Sequence, residues 1–230
     1  MNDTGPVDYK LNGSIATIAM DDDKANVMSE AMLIALDRAL DRAERDRAVV
    51  LLVGRPRCFS GGYDLAMFQR GQEEVARTLR RGAELVIRML GFPLPIVLAC
   101  TGHAVAQGAF TLLAGDVRIG ATGDYKIGLN EVAIGLVPPH YGVEIARFRL
   151  TPAGFNHALT TGTLYRPEQA QEIGFLDRVV SAESLLEVAH EEAKQLCGID
   201  MNAHAGTKER VRADVLCRMR EGIAKELADT

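Results

Sequence analysis

The run Ala48-Val-Val-Leu-Leu-Val53 lies between charged residues and Gly54. A continuous apolar run of this length is typical of a strand that is covered on both faces. A second run of the same character, Ile96-Val-Leu-Ala-Cys100, follows the break Phe92-Pro-Leu-Pro95. The two runs predict central strands of an α/β fold.

Helical patterns surround these strands. Ser29 is placed to cap a helix that continues to about residue 45, and a longer helix is predicted over roughly 72–90, ending at Gly91. Residues 8–19 read as two short strands around the turn Asn12-Gly13. Strand-strand-helix units therefore recur along the chain.

The C-terminal pattern is helical. From Ser181 to Thr230 the pattern is interrupted only by a polar break near residues 198–205. We therefore expect two regions, a core over 1–180 and a helical region over 181–230.

Composition excludes several classes of protein. The 230 residues are 47% hydrophobic with a net charge of −5, which is typical of a globular protein. No block of basic residues indicates binding of nucleic acid. No apolar run could cross a membrane, and the first residues do not resemble a secretion signal, so we expect a cytoplasmic protein. The four scattered cysteines form no Cys-x-x-Cys pair, and no metal is expected.

Two glycine-rich turns, Ser60-Gly61-Gly62 and Ala106-Gln107-Gly108, each follow a predicted strand and lead into a helix. Such turns leave main-chain N–H groups unpaired near the positive end of a helix dipole. Two N–H groups that converge on one oxygen would stabilise an oxyanion, each contributing roughly 10²–10³ in rate. Alternatively, these are ordinary turns in which glycine only relieves steric conflict. Neither turn fits a dinucleotide-binding or phosphate-loop motif.

The stretch 127–142, Ile-Gly-Leu-Asn-Glu-Val-Ala-Ile-Gly-Leu-Val-Pro-Pro-His-Tyr-Gly, contains one carboxylate, Glu131, in apolar surroundings. Burial would raise the pKa of this carboxyl toward neutrality and suit it to proton transfer. The alternative is that Glu131, just after Asn130, is a first-turn acid that points into water.

Other polar residues are weaker candidates. His103 and His140 lie beside the candidate loops, where a histidine is more often a hydrogen-bonded structural residue than a proton carrier. Ser60 lacks the elbow motif of a nucleophilic serine, and Asp64 is expected to cap or brace the segment after the first turn.

Together these segments resemble the crotonase (enoyl-CoA hydratase/isomerase) superfamily. The resemblance implies a spiral of strand-strand-helix units, acyl-CoA thioester substrates, and a helical C-terminal region that forms a homotrimer or a dimer of trimers. Coenzyme A is then part of the substrate, and no separate cofactor is expected. The resemblance is carried by Asp23-Lys-Ala-Asn26, Cys58-Phe-Ser-Gly-Gly-Tyr-Asp-Leu65, Pro95-Ile-Val-Leu-Ala99, residues 102–116 and the stretch around Glu131.

The resemblance also implies roles. The N–H groups of Gly61 and Gln107 would hold the thioester oxygen as it becomes an enolate, although Gln107 stands where the family usually has glycine. Hydratases of the family use two carboxylates, and Phe110 stands at the position of the first, so that only Glu131 remains. One carboxylate suffices to move a double bond from the 3,4 to the 2,3 position.

The chain therefore looks like the Δ3,Δ2-enoyl-CoA isomerase branch in particular. The alternatives are hydration or thioester hydrolysis by another member of the superfamily, or acyl-CoA binding without catalysis. Lys24 is an expected contact for the CoA phosphates by its position in the family pattern, and Arg55 and Arg57 are candidates by charge only. The positions that the resemblance assigns to substrate binding are Lys24, Ala25, Ser60, Gly62, Tyr63, Asp64, Leu65, Gly108, Phe110 and Leu136.

Overall fold

The computed structural model describes residues 5–64, 66–67 and 71–228. Its core is a six-stranded sheet in which both predicted apolar runs are central and fully buried. In spatial order this sheet consists of β1 (Val7–Asn12), β2 (Ile15–Met20), β3 (Val49–Val53), β5 (Ile96–Cys100), β7 (Val117–Ala121) and β10 (Arg178–Val180).

Both faces of this sheet are covered, as the apolar runs predicted. Val50 and Leu52 of β3 point into the larger core, whereas Val49, Leu51 and Val53 point into a smaller core on the opposite face. The first two strands form the predicted antiparallel hairpin, and β2, β3, β5, β7 and β10 run parallel. The alternation explains why every position of β3 must be apolar.

A second, four-stranded sheet forms from short segments for which the sequence pattern predicts no strand. Its strands are two to four residues long, which is too short to show a periodic signal, and they pair with segments distant in the sequence. The first three strands are parallel and the last pairs antiparallel. In spatial order they are β4 (Arg57–Ser60), β6 (Gly102–Val105), β8 (Ile127–Gly128) and β9 (Leu164–Tyr165).

The helices begin and end largely where the capping residues indicated. The Ser29 side chain accepts a hydrogen bond from the Met32 N–H (3.2 Å), and Gly91 ends the second helix. The helices are α1 (Glu30–Arg45), α2 (Gln72–Leu90), α3 (Gln107–Leu113), α4 (His140–Arg149), α5 (Pro152–Thr161), α6 (Pro167–Ile173), α7 (Leu185–Leu196) and α8 (Met201–Ala228). The units β3-β4-α2 and β5-β6-α3 confirm the predicted spiral.

The two C-terminal helices share the cores with the rest of the chain. Helix α7 covers the smaller core, and α8 packs on α4 and α2 in the larger one. Asp116, which precedes β7, forms buried ion pairs with Lys208 (2.7 Å) and Arg212 (2.8 Å) of α8. The expected boundary at residue 180 is therefore not a boundary of the hydrophobic core. Among the described helices, none is long and apolar enough to span a bilayer.

Candidate active site

Three segments meet at one edge of the smaller sheet. Strands β4, β6 and β8 are parallel neighbours, and the carboxyl ends of parallel strands lie on the same side of a sheet. Gly61-Gly62-Tyr63 follows β4, Ala106-Gln107 follows β6, and Asn130-Glu131 follows β8. The topology thus brings both glycine-rich turns and the candidate carboxylate together.

The first turn is held by hydrogen bonds to a distant segment. They correct the prediction that the Gly61 N–H holds the thioester oxygen. The Gly61 N–H donates to the Ala25 carbonyl (2.8 Å) and is not available to a substrate oxygen. The Ser60 hydroxyl donates to the Asn26 carbonyl (2.7 Å) and accepts from the Gly62 N–H (3.1 Å), so Ser60 braces the turn instead of contacting substrate. Tyr63 follows Gly62, and its main-chain N–H has no hydrogen-bond partner within the described residues.

The second turn places its strained residue before Gln107. Ala106 has φ 50° and ψ −120°, an unfavourable conformation for a residue with a side chain. Gln107 is the first residue of α3 and does not have a positive φ, so its replacement of glycine is compatible with the backbone. In the described part of the chain its N–H is also without a partner.

The two turns pack directly against each other at Gly62. This residue has φ 86°, and a Cβ there would lie 2.8 Å from the Val105 carbonyl oxygen and 3.4 Å from the Gln107 nitrogen. Only glycine allows this close approach together with a left-handed backbone. The unpaired N–H groups of Tyr63 and Gln107 therefore belong to adjoining turns.

Glu131 is buried beside these groups, so the alternative of a solvated first-turn acid is wrong. Its exposure is 6%, and its Oε2 has no hydrogen-bond partner within the described residues. Burial raises the pKa of the Glu131 carboxyl to about 7, opposed only by a main-chain hydrogen bond. A carboxyl with this pKa can both accept and return a proton near neutral pH.

A cavity of 380 Å³ contains this carboxylate together with Tyr63 and Gln107. Its walls are otherwise mainly apolar and include Phe110 and Leu136. The Phe110 ring is buried and meets the Tyr141 ring edge-on at a centroid distance of 5.5 Å. A cavity of this size and character suits the apolar part of a small-molecule ligand.

The remaining predicted positions have other surroundings. Lys24 and Asp64 line a separate cavity of 320 Å³, where the Asp64 carboxylate accepts from the Ala66 N–H (2.9 Å). Gly108 is a packing glycine, since a Cβ there would lie 2.5 Å from the Ser60 carbonyl oxygen. Leu65 lies outside the described residues.

The two candidate histidines take part in local hydrogen bonds, His103 through its ring and His140 through its main chain. The His103 Nδ1 accepts from the Lys126 N–H (3.0 Å), and burial, with Lys126 and Arg57 nearby, lowers the pKa of the ring. The main-chain N–H of His140, at the start of α4, donates to the Glu226 carboxylate (2.6 Å).

Comparison with known proteins identifies the family. Residues 10–228 match the family model described as enoyl-CoA hydratase/isomerase. The chain belongs to this family. The predicted resemblance is therefore confirmed.

Among its relatives in the enoyl-CoA hydratase/isomerase family, some are named hydratases and others isomerases. A putative enoyl-CoA hydratase of Thermus thermophilus is 32% identical over 80% of this chain and 75% of its own length. The apo structure of an enoyl-CoA isomerase of Mycobacterium tuberculosis is 41% identical, with a TM-score of 0.94 over 98% of this chain and 99% of that one. Human mitochondrial Δ3-Δ2-enoyl-CoA isomerase is 26% identical, with a TM-score of 0.89 over 95% and 91% of the two chains. The predicted fold is thus confirmed.

Sequence reasoning missed two residues of the site in this family member. Tyr141 and Glu226 both line the cavity with Glu131. Glu226 comes from the last turns of α8, and its sequence neighbourhood shows nothing that distinguishes it from a surface acid. Only the packing of α8 on α4 brings it to the cavity.

Proposed function

We propose that the protein converts 3-enoyl-CoA thioesters to 2-enoyl-CoA thioesters, with Glu131 as the only proton carrier. The observation that carries the proposal is a buried carboxylate with a pKa of about 7 in a mainly apolar cavity that also contains Tyr63 and Gln107. The main-chain N–H groups of these two residues, not that of Gly61, would form the oxyanion hole.

The reaction balances with no co-reactant. The Glu131 carboxylate removes a proton from C2 of the acyl group, and the electron pair moves into the C1–C2 bond and onto the thioester oxygen. The Tyr63 and Gln107 N–H groups stabilise the negative oxygen of this dienolate. Glu131 then returns the proton to C4 as the oxygen charge collapses, which leaves the double bond between C2 and C3.

The apolar walls support isomerisation over addition of water. Phe110 places a buried ring where the hydratases of the family are expected to have a carboxylate. An apolar lining limits the water that could attack C3 and strengthens the hydrogen bonds to the oxyanion. The cavity that contains Lys24 and Asp64 would receive part of the CoA moiety.

Enoyl-CoA hydration is the second candidate, and Glu226 is the observation that favours it. Hydration requires activation of a water molecule and delivery of a proton, for which two carboxylates are suited. Glu226 brings a second carboxylate to the cavity, although one of its oxygens already accepts the His140 N–H.

Product identification separates the two reactions. The purified protein would be given 3-enoyl-CoA and 2-enoyl-CoA thioesters of several chain lengths, with products resolved by mass spectrometry and NMR. Isomerisation predicts 2-enoyl products from the first series and no 3-hydroxyacyl product from the second. Deuterium exchange at C2 in D₂O is expected as well. A protein that exchanges no deuterium and forms no product is an acyl-CoA binder, and the proposal is then wrong.

A matched pair of variants tests the two carboxylates. Glu131→Gln should abolish turnover and C2 exchange while thioester binding persists, because the amide cannot accept the proton. Glu226→Gln preserves shape and is expected to retain isomerase activity. If Glu226→Gln loses activity to the same extent as Glu131→Gln, the single-carboxylate mechanism fails and the two-carboxylate reaction is favoured.

A further inference from the structure

The Gln107 side chain is fixed at both ends of its amide. It is 1% exposed, and its Nε2 donates to the Gly82 carbonyl of α2 (3.0 Å). Its Oε1 accepts the hydroxyl hydrogen of Tyr141 in α4. Because a main-chain carbonyl can only accept, this orientation of the amide satisfies both partners. Gln107 thereby connects the turn after β6 to two helices that line the cavity.

The Tyr63 side chain ends beside the Gln107 amide, against Gly82 of α2. A Cβ added to Gly82 would lie 1.8 Å from the Tyr63 hydroxyl oxygen and 3.0 Å from the Gln107 Nε2. The Tyr63 hydroxyl is buried beside the Tyr141 hydroxyl, the same group that donates to the Gln107 Oε1. The only residue type that leaves room for both side-chain ends on this face of α2 is glycine.

Tyr63 and Gln107 are also the residues whose main-chain N–H groups are unpaired in the adjoining turns. We infer that the Gln107 side chain, anchored on Gly82 and Tyr141, positions both donors of the oxyanion hole. Gln107 is thus a positioning residue through its side chain, in addition to the role proposed for its N–H. The inference rests on the proposed function only in requiring that the two N–H groups bind a thioester oxygen.

Strain in the second turn makes such an anchor necessary. The conformation of Ala106 is strained for a residue with a side chain and persists only where the surroundings hold it. Ala106 immediately precedes Gln107, so relaxation of its backbone would turn the Gln107 N–H away. A donor stabilises an oxyanion well only within about 2.7–3.1 Å, and a misplacement of about 1 Å can cost on the order of 10²-fold in rate.

The test uses Gln107→Met and Tyr141→Phe. The first keeps the main-chain N–H and a similar side-chain volume but removes both amide hydrogen bonds. The second keeps the ring and removes the hydroxyl that donates to the Gln107 Oε1 and lies beside the Tyr63 hydroxyl. Gln171→Met is the control, because Gln171 also donates to a main-chain carbonyl, that of Asp177 (3.5 Å), and is exposed outside the cavity.

The decisive measurement is the infrared carbonyl band of a bound 2-enoyl-CoA labelled with ¹³C at the thioester carbon. The unaltered protein should lower this frequency on binding, since the donors polarise the carbonyl. Gln107→Met should lose most of that shift and reduce kcat by on the order of 10–10²-fold, with KM little changed. Tyr141→Phe should move both quantities in the same direction, and Gln171→Met neither.

The outcomes distinguish this inference from the proposed function. If Gln107→Met folds and retains the carbonyl shift and kcat, the side chain only fills space and the inference is wrong. If Gln107→Met does not fold, Tyr141→Phe decides in the same way. An unshifted carbonyl in the unaltered protein would refute the oxyanion hole itself, and the inference with it. Glu131→Gln should keep the carbonyl shift while losing turnover, which separates donor geometry from proton transfer.

Discussion

The buried carboxylate of Glu131 should make the protein less stable as pH rises. Its carboxyl titrates at 4.5 in model compounds and at about 7 in the fold, because burial disfavours the charge. Between these pH values the folded protein retains a proton that the unfolded chain has released. The stabilising effect of this proton is therefore complete below pH 4.5 and is lost as pH rises to about 7.

The magnitude follows from the difference between the two pKa values. At about 1.4 kcal/mol per pH unit, the change from 4.5 to about 7 amounts to a loss on the order of 3 kcal/mol. Glu131→Gln carries no charge at any pH and lacks this dependence. Relative to the unaltered protein, the variant should gain on the order of 3 kcal/mol in free energy of unfolding between pH 4.5 and pH 8, or roughly 6–12 °C in melting temperature for a chain of this size.

Urea titrations of both proteins at several pH values between 4.5 and 8 measure this difference, and the other titrating groups cancel in the comparison. The same pKa predicts that kcat/KM for a 3-enoyl-CoA rises with pH and levels off above about 7, since the base must be ionised. A stability difference that does not vary with pH would refute the raised pKa. A rate that is constant from pH 5 to pH 8 would refute the role of Glu131 as the base.

Three further tests, one of them with a matched control variant, address other parts of the structure. Gly62→Ala should lower the free energy of unfolding in urea by about 1–3 kcal/mol, because Gly62 has a left-handed backbone and its new Cβ would meet the second turn. Gly61→Ala is the control and should be nearly neutral, since its Cβ would approach no atom closer than 3.4 Å. Asp116→Asn should lower the free energy of unfolding by about 3–5 kcal/mol, measured by calorimetry, since two buried cations lose their carboxylate; a change below 1 kcal/mol would contradict a buried ion-pair cluster. Ala76→Leu, which fills part of the cavity, should reduce kcat/KM for long acyl chains about 10-fold more than for short ones in a substrate panel. An equal effect on all chain lengths would mean that this wall does not contact the acyl chain.

The sequence by itself determined the features that depend on local pattern. The apolar run of β3 predicts a strand covered on both faces, because no polar side chain interrupts it. Ser29 and Gly91 mark helix ends, because capping involves residues within one turn. Glu131 was recognisable as a candidate base, since it is the one carboxylate in an apolar stretch. The three parallel strands of the smaller sheet escaped notice because four residues or fewer cannot show a period.

Only the tertiary structure decided which groups are available for chemistry. A main-chain N–H is free or occupied according to acceptors that come from distant parts of the chain. The Gly61 N–H is occupied by the Ala25 carbonyl, which leaves that of Tyr63 as the available donor of the first turn. Glu226 likewise reaches the cavity only because α8 packs against α4. Local pattern fixes where a turn occurs, whereas long-range packing and hydrogen bonding fix what that turn presents to a ligand.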